Sequence, residues 1–129
     1  MLDHDRAARR LGQLCSMRIE REQTLGTVQI RLHGEFDMSC AERFEDELES
    51  ALEPETAVLI LDLCGLQFVD STGLRMLVTL NRRTNEDGIE YTVLCAEGTV
   101  RHILRETGLD GVLPVVSPSG AVPRSDSPV

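Results

Sequence analysis

The stretch that decides the fold is AVLILDLCGLQFVDSTGLRMLVTL, Ala57 to Leu80. It opens with five apolar residues in a row, Ala57 to Leu61. A short, branched, apolar run of this kind reads as a strand buried on both faces. Ile60, in its middle, is then expected to be fully buried. The stretch closes with Leu74, Leu77 and Val78, the i, i+3, i+4 spacing of one helix face. Between them stand Asp70, Ser71 and Thr72, residue types that cap a helix by accepting bonds from its free N–H groups. The expected order is buried strand, short loop, polar cap, helix, with hydroxyls at the positive end of a helix dipole.

Upstream, Val28, Ile30 and Leu32 alternate with Gln29, Arg31 and His33, as in a half-buried strand. Met17 to Glu22 reads as a strand too, and Thr24 to Gly26 as the turn of a hairpin. Gly34-Glu35-Phe36-Asp37 is expected to break the second strand. Ser39 followed by Glu42 is a capping box. Ala41, Phe44, Leu48, Ala51 and Leu52 then mark a helix face, opposite Glu45, Asp46, Glu49 and Glu53, and Pro54 stops it.

Downstream, the helix from Asp70 is expected to reach about Glu86, with Gly88 at its end. Tyr91 to Cys95 is a strand, Thr99 to Thr107 a helix, and Val112 to Val116 a last strand that Pro114 confines to an edge or sheet end. Alternation of this kind implies strands joined by right-handed crossovers, and the leading hairpin makes the sheet mixed. The fold class is α/β, one domain over 17–116, with helices packed largely on one face. Residues 1–16 are expected outside the core, and 117–129, rich in Pro, Ser and Gly, as a disordered tail.

Composition narrows the function. The chain has 129 residues, enough for one domain with a real core. A formal net charge of −9 argues against nucleic acid or an anionic membrane surface as partner, and permits a basic protein surface. No run is long and apolar enough to span a membrane, and residues 1–15 lack the apolar region of a secretory signal. Cys15, Cys40, Cys64 and Cys95 match no zinc or redox spacing and are expected to be free thiols in a reducing cytoplasm. No G-x-S-x-G elbow surrounds Ser71 and no phosphate-binding Gly-rich loop exists. The three histidines share no metal spacing. Neither catalysis, a cofactor nor a metal is expected.

Two motifs in order carry a resemblance. Leu61-Asp62-Leu63 with Phe68-Val69-Asp70-Ser71-Thr72-Gly73-Leu74, and Gly34-Glu35-Phe36-Asp37 before them, resemble the STAS family and, within it, the anti-sigma factor antagonists. Phe36 stands where Leu or Ile is usual. The resemblance spans roughly Met17 to Val116 and implies a mixed sheet with helices largely on one face. It also implies that the final helix usual in the family would fall in 117–129.

On the residues alone, Ser71 is a helix-cap serine. The resemblance makes it the phosphoacceptor of a partner serine kinase that is itself the anti-sigma factor, with Thr72 as second candidate. It makes Asp37 and Asp70 candidates for orienting Ser71 or contacting the kinase, beside the turn and cap roles that their chemistry already gives them. Gly73 would allow close approach to the backbone. Asp62 is read as structural and hydrogen-bonded. The implied protein is a cytoplasmic, bacterial, phosphorylation-switched antagonist that frees a sigma factor and is reset by a phosphatase. The alternatives are a STAS subunit of a membrane lipid-transport complex, with no direct membrane contact of its own, and a small-ligand-sensing STAS module.

Overall fold

The computed structural model describes residues 15–118. Strands β1 (Arg18–Thr24) and β2 (Thr27–Phe36) form an antiparallel hairpin, with Thr24 opposite Thr27. A 3₁₀ turn, Met38–Cys40, leads into α1 (Ala41–Ala51). Then come β3 (Val58–Val69), α2 (Ser71–Glu86), β4 (Glu90–Leu94), α3 (Thr99–Glu106), a second 3₁₀ turn (Leu109–Gly111) and β5 (Val115–Val116). The strands lie in sequence order, and β2 to β5 are parallel. The element order is the expected one. Crossovers that all step the same way along a parallel sheet, each right-handed, put their helices on the same face.

The burial pattern agrees. Val28, Ile30, Leu32, Leu59, Leu61, Leu63, Tyr91, Val93 and Cys95 are buried on the helix side of the sheet. They meet Phe44 and Leu48 of α1, Leu77 and Leu80 of α2, and Val100 and Leu104 of α3 in one core. Only one chemical face is therefore fully dry. Ile60 is half-buried, because it pairs with Gln29 and Thr92 on the opposite face. That corrects the two-sided reading of Ala57–Leu61: an unbroken apolar run sits here in an alternating strand.

Four further expectations change. The strand before Asp70 runs on through Val69, so no loop follows Leu63. Gly34 does not end β2, which continues to Phe36 through register shifts at Arg31/His33 and Gly34/Glu35. At Gly34, φ is +98°, and a Cβ would collide with the carbonyl of Ser16, so glycine is required there. The last strand is only two residues long, at the sheet edge, because Val112 N and Leu113 N donate back to the Leu109 carbonyl, at 3.0 and 2.8 Å, and so belong to the turn. Pro114 lacks an N–H, yet its carbonyl accepts from Val93 N at 3.0 Å.

The fourth change concerns the cysteines. Cys64 and Cys95 are free, but Cys15 and Cys40 form a disulfide, with Cα atoms 5.0 Å apart. The β1–β2 hairpin brings the residues before β1 back beside the start of α1, a proximity that spacing along the chain does not reveal. Residues 1–14 and 119–129, and with them all but Ser117 and Pro118 of the stretch read as a disordered tail, lie outside the described residues.

Candidate functional site

The two motifs meet at one end of the sheet. Phe36 and Val69 are register partners on adjacent parallel strands, so the segments that leave them, Asp37–Cys40 and Asp70–Gly73, start side by side. Asp70 N donates to the Phe36 carbonyl at 3.0 Å, which extends the strand pairing into the loop.

Asp70 holds this junction together. Its backbone is extended (φ −98°, ψ −174°), the conformation of an N-cap residue. Its Oδ1 accepts from Gly73 N at 3.0 Å and so caps α2. Its Oδ2 accepts from Met38 N at 3.2 Å and so ties α2 to the other loop. Asp37 plays a smaller version of the same part. Its Oδ1 accepts from Ser39 N at 3.0 Å and from the Ser39 hydroxyl, closing the 3₁₀ turn. Ser39 is therefore not the cap of a capping box: α1 begins after Cys40 with no side-chain cap of its own.

With Asp70 as the cap, Ser71 becomes the first residue of α2 and is exposed. Its hydroxyl stands at the positive end of a 16-residue helix, where added negative charge is favoured. Thr72 is half-buried and faces a groove of about 460 Å³ between α1 and α2. Glu42 and Glu45 line one wall of the groove, Arg75 and Arg83 the other. Gly73 is buried. A Cβ there would come within 2.6 Å of Val69 Cγ2 and 3.1 Å of Phe36 Cγ. The missing side chain is thus used inward, to seat α2 on the strand ends, rather than left open towards solvent.

Met38 escaped the sequence reading, and Phe68 entered it only as part of the motif. Met38 is 71% exposed and Phe68 43%, and they flank Asp37 and Asp70 in the chain. Both are large apolar side chains; Met38 is tied to the Asp70 cap through its N–H, and Phe68 lies in β3 two residues before that cap. For Met38, its place directly after a turn-forming Asp was the only sequence signal. Asp62 lies apart, on the helix-free face. It accepts from Cys64 N at 2.9 Å and pairs with Arg31 at 3.9 Å. Partial burial, then the neighbouring Asp62, pushes the Cys64 thiol up to about 11, so it stays protonated at neutral pH.

Fold and site together describe a small α/β domain that presents a capped helix N-terminus and exposes Met38 and Phe68. The chain belongs to the STAS family, whose domain matches residues 18–120. Over 101 residues it is 28% identical to an anti-sigma F factor antagonist of Paenibacillus polymyxa, covering 78% of this chain and 86% of that one. It shares its fold with an anti-sigma factor antagonist of Mycobacterium paratuberculosis, at 24% identity and a TM-score of 0.70, over 80% of this chain and 86% of the other. The unphosphorylated form of the antagonist SpoIIAA is similar at 24% identity and a TM-score of 0.66, over 85% and 97%. Among the described residues, no helix is long and apolar enough to cross a membrane.

Proposed function

We propose that this chain is an anti-sigma factor antagonist: a bacterial, cytoplasmic binding protein without catalysis of its own. It docks an anti-sigma factor through the surface formed by Met38, Phe68, Asp37, Asp70, Ser71 and Thr72, with the Gly73 backbone beneath. The docked anti-sigma factor releases its sigma factor. The same partner, acting as a serine kinase, phosphorylates Ser71 with ATP and ends the complex, and a phosphatase restores it. The single observation that carries this reading is the exposed Ser71 hydroxyl on a helix start that Asp70 fixes and ties to exposed Met38. The sequence match to a named antagonist supports it further.

The switch needs no refolding. A hydroxyl can be covered by a partner if it finds one hydrogen bond. A phosphate carries about −1.5 to −2 charges and must be paired or desolvated there. Even about 3 kcal/mol of such cost weakens binding more than 100-fold. Incubation with the cognate anti-sigma factor and ATP, followed by phosphosite mapping and titration calorimetry, tests the reading. Phosphate is expected on Ser71, loss of binding in Ser71→Glu, and retained binding without phosphate uptake in Ser71→Ala. Tight binding by the acidic variant, or uptake on Thr72 alone, would overturn it.

A further inference from the structure

The Cys15–Cys40 disulfide lies one turn from the docking surface and has no part in the function proposed above. Cys40 is the last residue of the 3₁₀ turn, and its N donates to the Asp37 carbonyl at 2.9 Å. Its sulfur is 3.8 Å from Asp37 Oδ1. The next residue but one before it, Met38, bonds Asp70, which caps the helix that carries Ser71. On the other side, Cys15 leads into buried Met17, whose carbonyl accepts from Arg43 of α1. A continuous path of bonds therefore runs from the disulfide through Met38 and Asp70 to the start of α2. Asp37 caps the turn itself, but α1 beyond it starts with no side-chain cap. The cross-link is the one covalent tie on this turn among the described residues.

We propose that Cys15 and Cys40 form a reversible thiol-modification site that sets the rigidity of the Ser71 surface, with small-molecule disulfides and dithiols as its co-substrates. Cys40 is fully buried and Cys15 only half-buried, so exchange enters at Cys15. On oxidation, the Cys15 thiolate attacks one sulfur of a small disulfide, that S–S bond breaks, and one small thiol leaves. The Cys40 thiol then gives up its proton and attacks Cys15 Sγ, expelling the second small thiol. Two protein thiols are oxidised and one small disulfide is reduced to two thiols. A dithiol runs the sequence backwards. Cytosolic disulfides, where they occur, are mostly of this exchangeable kind. The oxidised form holds the Asp37–Cys40 turn in its docking geometry, and the reduced form lets it loosen. That this changes partner affinity rests on the function proposed above. The coupling between the cysteines and the site does not.

The test uses the full chain, labelled with ¹⁵N, equilibrated with oxidised glutathione or with dithiothreitol. Thiols are counted by alkylation in denaturant and mass, so that buried Cys95 also reacts, and amide exchange is followed at Met38, Cys40 and Gly73, with Val93 of β4 as the reference for global folding. In oxidised glutathione, two of the four cysteines should resist alkylation and map to Cys15 and Cys40. Reduction should speed exchange at Met38 and Cys40 at least about tenfold, and at Gly73 by less, while Val93 is unchanged. Cys15→Ser should match the reduced protein in both buffers. If that variant loses Val93 protection, the wild-type comparison still decides. Four free thiols in oxidised glutathione, a bridge that survives excess dithiothreitol, or exchange at Met38 and Gly73 indifferent to reduction would each overturn the proposal. Phosphorylation of Ser71 could still succeed in every one of those cases, so the two readings fail separately.

Discussion

Two loops leave the same end of the sheet, each opened by an aspartate, and they are held in different ways. Asp70 caps a helix of 16 residues and spends its second oxygen on the other loop. Asp37 closes a turn of three residues, and the helix beyond it starts uncapped. One loop is fixed by its own helix and by buried Gly73. The other borrows a bond from Asp70 and a covalent link from Cys15. A surface built this way has a rigid half that carries the serine and a half whose order depends on outside ties.

The largest effect should come from the rigid half. Gly73→Val would drive its side chain into Val69 and Phe36, both almost fully buried, and should cost at least about 1–3 kcal/mol in urea unfolding. A cost below about 0.5 kcal/mol would mean that α2 can lift off the strand ends, and the contrast between the loops would fall.

Asp70→Ala comes next, at about 1–2 kcal/mol, since it removes the cap of α2. Asp70→Asn sharpens the point. Gly73 N and Met38 N bond separate oxygens of Asp70, so in asparagine one of them faces an NH2 donor and loses its acceptor. We expect it to lose about half as much as the alanine, with faster amide exchange at one of those two positions. Equal costs for Asn and Ala would show that charge, not bonding, makes the cap.

Asp37→Ala should cost less, about 0.5–1 kcal/mol in the oxidised protein, because a short, partly exposed turn loses its side-chain bonds. The same substitution should cost more after reduction, when the turn has neither tie. Identical costs in the two redox states would remove the dependence of this loop on the cross-link.

The motif pairs explain why so much of this was legible. Val28, Ile30 and Leu32 alternate, and Phe44, Leu48 and Ala51 repeat at helical spacing, so the elements and their order could be read locally. What failed was information held between elements. Ile60 looks like its neighbours Leu59 and Leu61, and only the one-sided placement of the helices leaves it half-buried. Ser39 and Glu42 satisfy a capping box on paper, yet Asp37 reaches Ser39 N first and shifts the helix start to Ala41. The Cys15–Cys40 pairing depends on the return of a hairpin. The candidate serine was found from its motif, but its role in the cap was assigned one residue too late.

That displacement gives the smallest and most telling prediction. If Ser71 were the N-cap, Ser71→Ala would cost about 1 kcal/mol. In the structure Asp70 is the cap and Ser71 is the exposed first residue of α2. Alanine is a better helix former than serine, and an exposed hydroxyl that caps nothing is worth little. Ser71→Ala should therefore lie within about 0.5 kcal/mol of wild type. Ser71→Glu should be as stable or gain about 0.3–1 kcal/mol, because its charge meets the positive end of the helix. Urea unfolding of the three proteins, with equal slopes required, reads both numbers. A loss near 1 kcal/mol in the alanine variant would return the cap to Ser71. A loss in the glutamate variant would mean that negative charge disturbs the fold at this position, and phosphate could then act by unfolding the helix start rather than by blocking a partner.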